Sequence, residues 1–324
     1  MFISSHRIAR GLSHHRHTRP RSMGPWLSIV ISTFVVSSRV PRSMPDTLAP
    51  VDPRQAWLQN LHRIGGDHGF FNRLSARHLA LFVDEGDTLV LSFDRADRIW
   101  GDGNAGLPLG FDCVRALEYS LLSILSMGRT WFHDTGVEDL FQGLARDGFF
   151  ASYARVVILA VGPDCGHAAA RAARHVPGAR VLLVRPAAAI GAIHAPFETR
   201  FTSDRHGDPD VAPLGPEALL AARATTILFD PKIAPDAAQA ALFRAPGTQR
   251  IALPHASTAL DRAVTRGGAL VPLTGHLAAG TLTPRTARDS LKQVLRRDPV
   301  YLTRLVRAAD AKGHPGRAAK VLRT

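Results

Sequence analysis

Residues 155–184 read RVVILAVGPDCGHAAARAARHVPGARVLLV. The first seven form an unbroken apolar run with β-branched members, the pattern of a strand buried on both faces of a parallel sheet. A turn follows, Gly162-Pro163-Asp164-Cys165-Gly166, and then the alanine-rich stretch 167–175, which predicts a helix stopped by Pro177-Gly178. Residues 180–184 are the next strand. Strand, helix and strand make a βαβ unit with a right-handed crossover. The fold class is therefore α/β: a mostly parallel sheet with an antiparallel start and helices on both faces.

Toward the N-terminus, helical spacing in 54–64 predicts an opening helix ended by Gly65-Gly66. Two apolar runs, 78–83 and 88–93, are joined by Asp84-Glu85-Gly86-Asp87, turn chemistry that predicts an N-terminal antiparallel hairpin. Residues 101–110 read as loop, 121–126 as a strand and 137–146 as a helix. Trp131-Phe132-His133-Asp134 reads as core plus a loop entry.

Toward the C-terminus, 187–193 is the one apolar run between Pro186 and Glu217, so that stretch reads as an irregular excursion over the sheet edge or a pocket. Strands are predicted at 225–229, ending in Asp230-Pro231, and at 249–253, ending in Pro254-His255, with a helix over 236–243 between them. Thr283-Pro284 opens a helix running to about residue 297, and Asp298-Pro299 opens another. The chain divides into 1–43, an α/β domain over 44–282 and a basic helical tail over 283–324.

The net charge of +13 is carried by the ends. Residues 1–43 hold seven arginines and no acid. Residues 285–324 hold eleven Lys or Arg against Asp289, Asp298 and Asp310, leaving a net of −2 for 44–284. A nearly neutral middle argues against nucleic acid in the core domain, while the partner of the basic tail stays open. Residues 1–43 are either an upstream extension, with Met44 opening the working chain, or a targeting segment. Their apolar run 26–36 is too short to span a bilayer. His14, His15 and His17 have no acid or cysteine beside them. Two cysteines, Cys113 and Cys165, form neither a disulfide framework nor a zinc pattern, which fits a reducing, cytoplasmic setting with no metal.

A strand feeding a helix through a Gly-bounded turn puts side chains and free N–H groups at the carboxyl edge of the sheet, where α/β proteins bind ligands. Gly162-x-Asp164-x-Gly166 has the spacing of a nucleophile elbow, with an acid at its centre. Here the chain resembles the α/β-hydrolase superfamily, and Val161 to Gly166 resembles the elbow of its epoxide-hydrolase and haloalkane-dehalogenase branches. That resemblance implies Asp164 as an ester-forming nucleophile and the Cys165 N–H as an oxyanion donor. It also implies Asp230, or Asp236 nearby, orienting His255, which activates water, and it implies no cofactor. No His-Gly-x-Pro motif precedes the elbow. In a second registration the chain resembles a degenerate alphaproteobacterial α/β-hydrolase-like group, with Pro163 at the nucleophile position.

Other readings of the same residues stand beside these. Asp164 is also an ordinary N-cap residue, Asp230 a turn acid and His255 a loop histidine. A nucleotide site would use Gly162 and Gly166, but the middle glycine of the dinucleotide fingerprint is missing and the second strand ends in Arg185 where an acid is expected. A sulfonucleotide-reductase assignment lacks its phosphate loop and its cysteine motif. Cys165 at a helix start is a further nucleophile candidate. Three functions follow: a hydrolase-like protein, active or degenerate; a non-catalytic protein binding a small molecule or a partner; and a nucleotide-binding enzyme. The first requires Asp164, Asp230 and His255 to converge.

Overall fold

The computed structural model describes residues 52–101, 106–191, 193–202 and 213–321. The segment 1–43, the candidate start Met44 and the histidines His14, His15 and His17 lie outside the described residues.

One eight-stranded sheet organises the molecule. Its strands are β1 (Gly69–Arg73), β2 (His78–Val83), β3 (Thr88–Arg95), β4 (Ser120–Ser126), β5 (Arg155–Val161), β6 (Arg180–Val184), β7 (Ala224–Phe229) and β8 (Thr248–Ala252). The order across the sheet is β1-β2-β4-β3-β5-β6-β7-β8. β2 is antiparallel to both β1 and β4, and every pairing from β4 through β3 to β8 is parallel. The α/β class, mostly parallel with an antiparallel start, is what the sequence predicts.

The central strands are apolar on both faces because both faces are covered. Side chains alternate along each strand. Val157, Leu159 and Val161 of β5 point to a core shared with α1 (Pro53–His68), α3 (Phe111–Leu117), α7 (Ser257–Thr265), α8 (Leu270–Ala279) and α9 (Pro284–Leu295). The opposite face meets α4 (Thr135–Arg146) and α5 (Pro163–Ala172). There Phe93 stands edge-on to Phe132 at 5.3 Å and stacks with Phe141 at 5.9 Å. α2 (Ala96–Gly101) follows β3, and α6 (Ala234–Leu242) lies between β7 and β8. The C-terminal helices are α10 (Pro299–Asp310) and α11 (Pro315–Val321). The predicted starts hold: Thr283 and Thr286 form a capping box on α9, and the Asp298 carboxylate accepts from the N–H groups of Val300 and Tyr301.

Two local expectations are corrected. The antiparallel hairpin is β1–β2; the strands at 78–83 and 88–95 are not paired, because β4 lies between them. The 84–87 turn instead arches over the start of β4. The Ser120 hydroxyl there accepts from Glu85 and Gly86 N–H at 3.0 and 3.1 Å and lies within hydrogen-bond distance of Asp84 Oδ1 and Gly86 O. Likewise Gly65-Gly66 does not end α1, which runs on to His68. A Cβ on Gly65 would meet Phe70 C at 2.6 Å, so this glycine lets the helix press against β1.

Candidate functional site

β5 ends at Val161, α5 begins at Pro163, and the whole change of direction falls on Gly162, with φ 94° and ψ 168°. That combination belongs to a backbone region essentially reserved for glycine. In a nucleophile elbow the reacting residue itself occupies the strained position between strand and helix. In this turn the strained position, its apex, is held by Gly162, while Pro163 and Asp164, the residues at the centre of the two registrations, lie in the first turn of α5. Gly166 serves packing, since its added Cβ would lie 2.5 Å from Pro186 Cβ.

The space in front of the apex is filled by Arg98 of α2. A Cβ built on Gly162 would meet Arg98 Nη1 at 2.7 Å and Nη2 at 3.0 Å. The guanidinium donates to Val161 O at 2.8 Å and to Asp164 Oδ1 at 2.7 Å, while Arg95 Nη1 reaches Asp164 Oδ2 at 3.4 Å. Asp164 is 1% exposed, so both of its oxygens are committed to internal ion pairs. Burial opposes the charge on Arg98, but the surrounding carboxylates of Asp164, Asp94 and Asp261 outweigh it and raise its pKa. Cys165 is fully buried and burial pushes its thiol pKa well up, the opposite of an activated nucleophile. Behind the turn, a cavity of about 20 Å³ lined by Asp94, Arg98, Val161 and Thr265 has room for about one water.

Asp94, at the end of β3, accepts from the N–H groups of Arg95 and Leu109, and burial raises its carboxyl pKa to about 6. Asp261 is likewise raised to about 6 by burial, against the pull of Arg185. Arg185 is held at 2.7 Å by both Asp236 and Asp261, and Asp236 also takes Arg200 Nη1 at 2.6 Å. The arginine considered for a nucleotide phosphate is therefore 8% exposed and internally neutralised.

Asp230 is fully buried after β7. Its carboxylate accepts from the backbone N–H of Lys232 (2.9 Å), His255 (3.0 Å) and Ser257 (2.9 Å), and Arg304 of α10 lies 3.5 Å from Oδ2. Asp230 and His255 are thus brought together, but through the histidine's main chain. Among the described residues the His255 imidazole has no hydrogen-bond or ion-pair partner. His255 and Ser257 both have left-handed backbones, φ 69° and 41°, which the Asp230 carboxylate holds in place. Asp164 is tied to α2 and is not joined to this pair.

Sequence reasoning missed Arg95 and Arg98, whose one visible signal was a charged cluster, Asp94 to Arg98, directly after a buried strand. It also missed His167 of α5, buried with Nδ1 3.3 Å from Ala187 O and Nε2 3.3 Å from His133 Nε2. Burial and the nearby His133 and Arg171 lower its pKa to about 3. Among the described residues no three His, Cys, Asp or Glu side chains gather as a metal site, and no helix is long and apolar enough to cross a membrane.

No family model matches the chain, and no curated protein matches it. Its structure is similar to that of carboxyl esterase 2 from the mycorrhizal fungus Tuber melanosporum: 13% identity, 64% of this chain and 83% of that one, TM-score 0.40. It is also similar to the capsule O-acetyltransferase of Neisseria meningitidis serogroup A, at 12% identity over 60% and 89% of the two chains, TM-score 0.40. A third likeness is to the Pyrobaculum calidifontis esterase, at 11% identity over 71% and 92%, TM-score 0.40. Each is a likeness in layout, and none assigns a role to a residue of this chain.

Proposed function

We propose that this is an α/β-hydrolase-like protein that does not turn over esters or epoxides at its elbow. The observation carrying this reading is the pairing of Gly162 with Arg98: a glycine stands at the strained apex and a guanidinium fills the volume a nucleophilic side chain would need. Further support comes from the acid and base candidates. Asp164 neutralises Arg98, and Asp230 is spent on the main chain of the loop that carries His255. The segment after β3, which supplies an oxyanion N–H in hydrolases of this layout, is here the arginine-bearing α2.

A screen of p-nitrophenyl esters and aryl epoxides, with the parent compared to Asp164→Asn and Arg98→Met, tests the reading. The expected result is turnover no faster than buffer for all three, with circular dichroism confirming that the variants fold. Turnover by the parent that disappears in Asp164→Asn overturns it and restores the carboxylate-nucleophile mechanism, with His255 as base.

A further inference from the structure

A groove of about 630 Å³ opens where α7, α9 and the start of α10 meet, well apart in sequence from the elbow. Arg262, Arg266, Gln293, Arg297 and Asp298 are among its lining residues. Arg262 forms a two-pronged pair with Asp298, Nε to Oδ2 at 2.9 Å and Nη2 to Oδ1 at 3.0 Å, which consumes the one acid of the lining. The Arg297 side chain is exposed and has no hydrogen-bond or ion-pair partner among the described residues. α9 buries Ala287, Leu291 and Leu295, and across its exposed face from the groove it and its C-cap carry Arg285, Arg288, Lys292 and Arg296, with Asp289, 3.8 Å from Arg285, as the single acid among them. Steps of three and four residues put those four on one stripe.

We propose that this groove and the outer stripe of α9 bind the phosphate backbone of a nucleic acid without reading its bases. This goes beyond the elbow reading and does not depend on it. The guanidinium fork suits phosphate oxygens. A bilayer surface is flat and does not enter a groove, whereas a phosphodiester chain does. A second run of charge lies along α9 across its exposed face, about 18 Å for twelve residues at 1.5 Å each, the span of about five phosphates of one strand. That reach fits a polymer better than a single phosphate. Tyr301 of α10 is half-buried, and the described residues lining the groove include no aromatic side chain on which a base could stack.

Fluorescence polarisation of a labelled 20-nucleotide RNA and a 20-base-pair DNA, with the full chain between 50 and 200 mM KCl, tests this. Phosphatidylserine vesicles form a third arm. Arg266→Gln/Arg297→Gln and Arg288→Gln/Lys292→Gln are compared with the parent, and Arg63→Gln/Arg146→Gln, on exposed arginines elsewhere, is the control. Because only differences from the parent are read, the arginines of residues 1–43 cancel. Each groove or stripe variant is expected to bind either nucleic acid about tenfold more weakly. Each should also lower the slope of log affinity against log salt by about 1.4 to 1.8, two phosphates' worth, while the control matches the parent. Equal binding by parent and variants, no binding by the parent, or binding to vesicles alone overturns the proposal.

Discussion

Arg98 lies against Gly162 so closely that the glycine's missing Cβ and the guanidinium are alternative occupants of one volume: the built Cβ falls 2.7 Å from Nη1. Gly162→Ser therefore meets two penalties, a backbone region closed to other residues and a steric conflict, and should destabilise the fold by about 2–4 kcal/mol. Arg98→Met, which leaves the buried Asp164 carboxylate only the longer pairing with Arg95 at 3.4 Å, should cost about 2–4 kcal/mol. In urea unfolding the double variant is expected to lose less than the sum of the single losses, because the conflict has gone. Strict additivity would show that the two residues do not share the space.

The Asp230 carboxylate holds two left-handed residues through their N–H groups. Asp230→Ala leaves those buried donors without their acceptor and is expected to cost about 2–3 kcal/mol of unfolding free energy. His255→Ala, which removes an imidazole with no partner among the described residues, should cost under about 1 kcal/mol. Equal and small losses for both would mean that Asp230 is not the clamp of this loop.

His167 makes the fold sensitive to mild acid. Its pKa is lowered from the ordinary 6.5 to about 3 in the folded chain, so it contributes stability that is complete above pH 6.5 and is lost as pH falls toward 3. Between pH 6.5 and 5 the loss is about 2 kcal/mol. Asp94 and Asp261 act in the opposite direction. Raised to about 6, they favour the fold below pH 3.8 and lose that contribution as pH rises through 6. His167→Asn keeps both acids, so urea midpoints of parent and variant from pH 5 to 8 isolate the histidine: the variant is expected to gain on the parent below pH 6.5. Parallel profiles would rule out a buried neutral His167.

The legible parts of this fold were those set by neighbours in the chain. β5 and β6 run over the expected residues because each is an unbroken apolar run bounded by turn residues, and Thr283 and Asp298 begin helices because a cap acts within three residues. The missed parts depend on partners far along the chain. Asp164 meets Arg98 at a separation of 66 residues, and nothing near Gly162-Pro163-Asp164 reveals which of the three will sit at the apex. For the same reason Asp84 to Asp87 reads as a hairpin turn. Only β4, arriving more than thirty residues later, separates the strands it joins. Gly65 looks like a helix stop until β1 is placed against it.

The arch over Ser120 bears on how the chain reaches its fold. β2 and β3 are joined by four residues, as few as join the β1–β2 hairpin, so their direct union would carry an equally low loop-closure cost, yet it is absent from the finished sheet. A β2–β3 hairpin and the finished sheet are mutually exclusive, because β4 occupies the place each strand would give the other, and a chain that had paired them would have to part them again. Ser120, the first residue of β4, holds the arch in the finished sheet through the N–H groups of Glu85 and Gly86.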